Sequence, residues 1–590
     1  MPRPRLPTPP RLPEGVLEVA RAPVEAGREA WERWLDLSIY TRRRLGLVAG
    51  VLAVIGLVWF AAIPALPCGA PGGDACGPTD HAIDLVPDDA LAYAHLDLDR
   101  ESAPYQAAED LATQLPTLAQ QTIARLTSVL PGPHGGPLDF ERDVAPWSGG
   151  EAALAILPAG RRSAQEVELL EAADERGAAE FADSLTTGHS RTVSQDGVKV
   201  QVGPRGVATA LVGGFLAIGT RGGIRQVIDA GNGADGTRSL ADDPSAGSLR
   251  NTLSQDRLAD LYIADDGIKG LVAQPGAPFA SLAAVVDPGA SSGAAAGLLA
   301  SDDGLELEIR STLDPARSAK HPGLFSTLPS FSPALADSIP SDSLAYVGIG
   351  EPGRTIESLV RATSASEPGV VAALGKLVEG IKGLADVDLA RDLLPSLGSE
   401  AALAVGPASG HGSKAPVLTF LASDVDVART AKALAALQTP LAKALDPSGN
   451  PAFEKRRIGD ITAYGLHVSP TIDFTYALVG STLVVATDPS GIRAVTAKGP
   501  RLEGADPFNA ATAGLPGEVS ALGYLNLGEL ISLIEQAGLA GSPAYQAFAP
   551  ELGRLEALGV SIQGSSQQLA TDLRLIVGGE AGGSGGSPAD

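Results

Sequence analysis

The chain has 590 residues and a net charge of −25, with 44% hydrophobic but only 4% aromatic residues. At about 100–200 residues per domain the length allows several domains, and 70 glycines with 45 prolines, about a fifth of the chain, fall short of the roughly 25–30% that marks low complexity. The acidic excess argues against nucleic acid as a partner, and two cysteines are too few for a disulfide-stapled mini-fold or a four-thiolate metal centre.

Residues 1–13 are Pro-rich and read as an extended tail, with a proline-ligand role as the alternative. Further on, Trp31, Trp34, Leu35 and Ser38 fall on one helical face, which predicts a short amphipathic helix in a membrane interface; a solvated linker helix is the plainer reading. Residues 45–66, LGLVAGVLAVIGLVWFAAIPAL, carry no charge. At about 1.5 Å per residue they match the ~30 Å hydrocarbon core of a bilayer. Arg42, Arg43 and Arg44 precede this stretch, and no Lys or Arg follows until Arg100. That asymmetry predicts a single transmembrane helix, a cytoplasmic tail at 1–44 and a main body outside the cell membrane.

Three rival readings of the span compete with an anchor. A cleaved secretory signal has a shorter apolar region. A twin-arginine export motif at 41–45 shares its arginines with any anchor of this orientation. A lipoprotein box at 65–68 is opposed by Pro67 directly before Cys68. The first 44 residues carry nine basic and six acidic residues, and the remainder 35 against 63. This reads as a solvated acidic surface, with diffuse cation binding as the alternative. Cys68 and Cys76 lie in a stalk at 67–80, where an oxidising compartment permits a disulfide between them.

From His81 onward the chain repeats itself. Val86-Pro87-Asp88-Asp89-Ala90-Leu91-Ala92-Tyr93 returns as Ile339-Pro340-Ser341-Asp342-Ser343-Leu344-Ala345-Tyr346. DFERDVAPWSGGEAALA at 139–155 returns as DLARDLLPSLGSEAALA at 388–404, with ten of seventeen positions identical. Ala210-Leu211-Val212-Gly213 returns at 477–480, and Ile224-Arg225 as Ile492-Arg493. The order is kept throughout. The expectation is a tandem duplication: repeat 1 at 81–314, a linker at 315–332, repeat 2 at 333–578 and a flexible Gly/Ser tail at 579–590.

Within repeat 1, residues 91–98 read as a strand after a Pro-Asp-Asp turn, and 105–129 as two helices broken at Pro116. Residues 151–157 and 166–172 read as neighbouring strands, and Asp174 as the cap of a helix running to Leu185. Asp196-Gly197 and Gly213-Gly214 read as hairpin turns. Residues 221–228 read as a helix, 231–248 as a mobile Gly/Asp-rich loop, and 259–264 as a strand followed by a short helix. A hairpin at Asp302-Asp303-Gly304 leads into 305–313, where Leu305, Leu307 and Ile309 predict a buried face and Glu306, Glu308 and Arg310 a wet one. A fainter echo, SALGYLNLGE at 520–529 against SLAYVGIGE at 343–351, suggests half-units within each repeat. Adjacent hairpins interrupted by helices predict an α+β class: one transmembrane helix followed by two tandem, duplicated, mainly antiparallel α+β domains.

A single N-terminal span, then Pro-x-Asp leading into a strand with a tyrosine (87–93 and 340–346), then a Gly-x-Glu element before an apolar strand (149–154 and 397–403), resembles the bacterial envelope family DUF3352. The resemblance covers most of 81–578 and implies no activity or catalytic residues.

Gly348-Ile349-Gly350-Glu351-Pro352-Gly353 fits the dinucleotide fingerprint and precedes a predicted helix at 355–363. The matching stretch of repeat 1, 95–100, has no glycine, and no parallel strand is predicted after it. The same pattern at 231–236 follows a helix, and GxSxG at 582–586 lies in the tail. The histidines, His81, His95, His134, His189, His321, His411 and His467, show no metal-ligand spacing. Asp424/Asp426 and Asp265-Asp266-Gly267 lack the closing glutamate of a calcium loop. No cofactor and no metal are expected.

Both repeats share Arg142-Asp143 with Arg391-Asp392, and Glu151 with Glu400. These charges, like Tyr93 and Tyr346, read as groups that fix a helix-to-strand junction, with a carboxylate site in each half as the alternative. The expected role is a non-catalytic binding or scaffold protein of the envelope, with a protein, polymer or lipid ligand. The alternatives are a hydrolase with a site assembled from distant residues, which would show a deep polar pocket in one repeat, and a lipid or small-molecule carrier, which would show a continuous apolar cavity.

Overall fold

The computed structural model describes residues 79–127, 138–160, 163–186, 190–203, 206–271, 289–320, 325–326, 328–356, 393–407, 416–445, 451–469, 472–536, 541 and 543–578. The expected span at 45–66, Cys68, Cys76, Arg391, Asp392, His134, His189, His321, His411 and the tail lie outside the described residues. Among the described residues no helix is long and apolar enough to cross a membrane.

Among the described residues twenty strands form one sheet. The first ten are β1 (Ala92–Asp97), β2 (Ser148–Pro158), β3 (Ala164–Ala172), β4 (Arg191–Gln195), β5 (Val198–Val202), β6 (Val207–Val212), β7 (Phe215–Thr220), β8 (Ala259–Ala264), β9 (Ser291–Ser301) and β10 (Gly304–Leu313). The second ten are β11 (Ala345–Gly350), β12 (Glu400–Gly406), β13 (Val417–Ser423), β14 (Glu454–Ile458), β15 (Ile461–Ser469), β16 (Ile472–Val479), β17 (Thr482–Ala486), β18 (Ala521–Asn526), β19 (Leu555–Gly564) and β20 (Gln568–Val577). The first set is ordered β4-β5-β6-β7-β3-β2-β1-β8-β9-β10, every pair antiparallel. The second set runs in the same relative order, β14-β15-β16-β17-β13-β12-β11-β18-β19-β20. Register agrees as well: Tyr93 stands between Ala155 and Tyr262, and Tyr346 between Ala404 and Tyr524. The two sets meet where β10 pairs with β20, from Gly304 opposite Ile576 to Thr312 opposite Gln568.

Local chemistry sets the elements. Asp196 and Gly197, and Gly213 and Gly214, all have positive φ, as the two central residues of a type I′ hairpin turn require. Helix α1 (Ala103–Gln114) is capped by the Ser102 hydroxyl, and Pro116 opens α2 (Pro116–Thr127). After the one-turn α3 (Phe140–Asp143), Asp174 caps α4 (Glu175–Leu185) and Thr220 caps α5 (Arg221–Gly231). Residues 231–248, expected to be a loose loop, instead form 3₁₀ turns at Ala234–Gly236 and Leu240–Asp242 and open α6 (Pro244–Arg250), capped by Asp243. Leu240 and Ala246 are fully buried, and that apolar anchoring is what orders a segment rich in turn residues.

Alternation along the strands builds a core on each face of the sheet. Tyr93, Ala155, Leu169 and Ala217 pack against Ile224, Val227 and Ile228 of α5. On the other face Ala92, Ala94, Ile156, Leu261 and Ile309 pack with Tyr105 of α1. The second set has its own core around Tyr346, Phe508 and Tyr524, whose rings meet edge to face at 6.2 and 5.1 Å.

The expected wet face of β10 is corrected. Glu308 is buried and its carboxylate accepts from the backbone N–H and hydroxyl of Ser254, both at 2.8 Å. Opposite it stands Asp572 of β20, also buried, and Arg310 donates to Asp572 at 2.6 Å and to Glu308 at 3.3 Å. β10 lies at the centre of a wide sheet with the Ser254 segment laid over Glu308, so that carboxylate is shielded from bulk water while Glu306 and Arg310 are half-buried. Burial pushes the Glu306 carboxyl upward, against the pull of Arg574.

The strand junction depends on Gly304, at φ 145°, where an added Cβ would sit 1.9 Å from the Leu575 carbonyl oxygen. Gly304→Ala is expected to lower stability by about 1–3 kcal/mol from steric overlap, measured by urea unfolding of the full-length chain. An unchanged midpoint would show that the β10–β20 approach is looser than described.

Candidate functional site

Two buried glutamates occupy matching places near the start of β2 and β12. Glu151 Oε2 accepts from the backbone N–H of His81 at 2.8 Å and of Ala82 at 3.4 Å, and its Oε1 accepts from His81 Nδ1 at 2.6 Å. Glu400 accepts from the backbone N–H of Ala334 at 3.1 Å and of Leu335 at 3.0 Å. In each half the carboxylate satisfies the open N–H groups of a 3₁₀ turn, Ala82–Leu85 or Leu335–Ser338, whose own N-cap side chain makes no capping bond. Burial raises the Glu400 carboxyl despite those bonds, and the bond to Glu151 raises the exposed His81 ring.

Arg142 and Asp143 form a side-by-side pair on α3, with two contacts of 2.8 Å, and the Asp143 carbonyl accepts from Trp147 Nε1 at 2.8 Å. The Arg142 side chain is mostly exposed whereas Asp143 is largely covered, and a pair open to solvent on the arginine side contributes modestly by itself. The glycine-rich stretch at 348–353 is filled by the protein's own chain. A Cβ at Gly350 would meet Phe331 at 2.8 Å, and one at Gly353 the Leu394 carbonyl oxygen at 2.6 Å. These glycines therefore serve close packing.

Among the described residues, the densest charged constellation arises around Tyr93 and has no motif spacing. The fully buried Tyr93 hydroxyl donates to Asp80 Oδ1 at 2.5 Å. Arg250, at the end of α6, lies over the Tyr93 ring at 5.5 Å and donates to Asp80 at 2.5 Å and Asp260 at 2.7 Å. Arg257 donates to Asp260 at 2.9 Å. Burial alone would raise the Asp260 carboxyl, but the two guanidiniums outweigh it and hold it at about 2. Burial and the Asp80 charge push the Tyr93 hydroxyl far upward, so it remains a neutral donor.

His95 stands opposite Asp260 in the ladder, 1% exposed, with Nδ1 4.0 Å from Asp260 Oδ1 and no hydrogen bond at either ring nitrogen. One ligand atom each from Asp80, His95 and Glu151 lie within 4.8 Å of one another, and the same holds for Glu306, Glu308 and Asp572. Composition and spacing missed the first group because its members come from the chain leading into the fold, β1 and β2. The one available signal was that His95 and Asp97 alternate with apolar residues on a strand that burial requires to be inward on both faces. In the second half the ladder position of His95 is Gly348, paired with Leu522 where the first half has Asp260. A Cβ at Gly348 would come within 2.6 Å of the Tyr346 hydroxyl.

Two open clefts lie at the repeated proline turns. One, of about 340 Å³, is lined by Pro87, Asp88, Asp89, Asp229 and Arg238. The other, of about 190 Å³, is lined by Pro340, Ser343, Val417, Ser490 and Ala494. Asp88 and Arg238 pair at 2.9 Å within the first. On one face of the second half, Val347, Leu403, Leu418 and Leu525 are exposed.

A family model described as a protein of unknown function (DUF3352) matches residues 46–575. No curated protein matches the chain. Solved structures similar over part of the chain include crystal forms I, III and IV of TP0453. Form I is 9% identical, with a TM-score of 0.24, over 40% of this chain and 79% of that one. Form III is 8% identical, with a TM-score of 0.23 over 40% and 80%, and form IV 9% identical, with 0.22 over 39% and 79%.

Asp260 carries a pH signature. Its carboxyl titrates at about 2 when folded against 3.8 otherwise, so the unfolded chain binds the proton first as pH falls. The stabilisation, about 2 kcal/mol, is present above the unfolded value and is lost as pH falls toward 2. Urea unfolding at pH 7 and pH 3 is expected to show a smaller pH dependence for Asp260→Asn than for the parent chain. Equal dependence would remove Asp260 from the acid response.

Proposed function

The chain belongs to the DUF3352 family, and from that premise we propose that it is a membrane-anchored, extracytoplasmic binding or scaffold protein of the bacterial cell envelope that performs no catalysis. The observation that carries this reading is the pair of open clefts at the repeated proline turns, one in each half, built from the same turn and the helix that follows the matching hairpin. A binding surface copied with its scaffold has this form. An assembled hydrolase site would instead place a deep polar pocket in one half. The charged constellation around Tyr93 is confined to one half, but its members are held by arginines and backbone N–H groups inside the core and line neither cleft. The two clefts differ in lining, acidic in the first and largely apolar in the second, so two different features of one partner, protein or polymer, are engaged.

The anchor is the uncharged stretch at 45–66 with its N-terminal arginines, and Cys68 and Cys76 form a disulfide in the stalk. The shared strand order and the aligned tyrosines support descent of 81–314 and 333–578 from one duplicated unit. A carrier function would need a continuous apolar cavity, and the two clefts are separate and open.

Native mass spectrometry of the full chain, gently extracted from its host membrane, is expected to show a partner at fixed stoichiometry, which Ser490→Trp in the second cleft reduces at least severalfold. A bound lipid that the substitution leaves in place would overturn the scaffold reading in favour of a carrier. For the orientation, an impermeant thiol reagent is expected to label Gly585→Cys in intact cells. Labelling only after permeabilisation would reverse the topology.

A further inference from the structure

We propose that Asp80, His95 and Glu151 bind one divalent transition-metal ion. His95 is 1% exposed and neither of its ring nitrogens has a hydrogen-bond partner, an uncommon state for a buried imidazole. Its ring meets two carboxylates, with one ligand atom from each of the three residues within 4.8 Å of the others. Donors each about 2 Å from one ion stand no more than about 4 Å apart, so sub-ångström side-chain shifts close these atoms around an ion. One imidazole nitrogen with two carboxylate oxygens is a donor set suited to zinc and its first-row neighbours.

The surrounding bonds position these donors without exhausting them. Asp80 Oδ1 accepts from the Tyr93 hydroxyl and from the backbone N–H of Ile83, whereas Oδ2 accepts from Arg250 and keeps a second lone pair for an ion. Glu151 Oε2 is occupied by two backbone N–H groups, whereas Oε1 accepts only from His81 Nδ1. Such bonds to ligating carboxylates are what orients them in metal centres. Asp80, Glu151 and Asp260 face Arg250, Arg257 and the His81 ring; Asp260 engages both guanidiniums, and Glu151 pairs with His81. An ion reaches the cluster past His81, whose side chain is 69% exposed beside Glu151. The second half has Gly348 and Leu522 at the ladder positions of His95 and Asp260, so one ion per chain is expected.

The test uses the full-length chain in detergent, stripped with a chelator and titrated with zinc by calorimetry and with cobalt(II) by visible absorption. One equivalent is expected to bind saturably. His95→Gln is expected to weaken zinc by about 10–100-fold or more, since even outer-shell losses have that effect, and His467→Gln, on an exposed strand position, to leave it unchanged. Absence of a saturable first equivalent, or tight binding retained in His95→Gln, would overturn the site. Should His95→Gln fail to fold by circular dichroism, the parent chain's cobalt spectrum decides. Bands of a low-coordinate ion with nitrogen and oxygen ligands support the site, and the spectrum of hydrated cobalt alone overturns it.

Discussion

The nine residue pairs between β10 and β20 are the constraint on which the rest of the fold depends. Each is the last strand of its half, and their pairing turns two ten-stranded sheets into one. At its middle two buried carboxylates, Glu308 and Asp572, face each other, held by Arg310, Ser254 and Ser561. Like charges directly opposite are unfavourable on a sheet unless a cation and donors intervene. Their presence gives the junction a single register: a slip of β20 by one residue would move Asp572 to the face that holds Leu307, Ile309 and Leu573.

Much of this fold is legible in the sequence where local chemistry decides. Asp-Gly and Gly-Gly supply positive φ and so mark hairpins; Asp174 and Pro116 mark helix ends; the returning Pro-x-Asp and Glu-Ala-Ala-Leu-Ala segments place the matching strands. Three features were not legible. The β10–β20 ladder joins residues 262 positions apart, as Arg310 and Asp572 are, and no local period encodes it. The alternation of Glu306, Glu308 and Arg310 with Leu305, Leu307 and Ile309 signals two chemically distinct faces, but only the covering segment decides whether the polar face is wet. Residues 231–248 carry turn-forming residues throughout, and the buried Leu240 and Ala246 that order them are too sparse to show a period.

The candidate site was the least legible part. Glu151 and Glu400 were visible through repetition, and both meet the 3₁₀ turn that leads into the first strand of their half. Asp80, His95, Arg250 and Asp260 were not, because the second half does not repeat them. Tyr93 and Tyr346 hold matching places in the two halves with different surroundings. Both are fully buried and hold the same register, yet one donates to a carboxylate beneath an arginine, whereas the other packs edge to face against Phe508 beside Gly348. Charge specialises one half and close apolar packing the other, on strands of matching order.

Joined through β10 and β20, the two halves are expected to unfold as one cooperative body. Pulsed hydrogen exchange with mass spectrometry, across a urea series on the full-length chain, tests it most directly. Protection of β1–β10 and of β11–β20 is expected to be lost at the same urea concentration. Loss at two separate concentrations, with one half still protected after the other has opened, would contradict it.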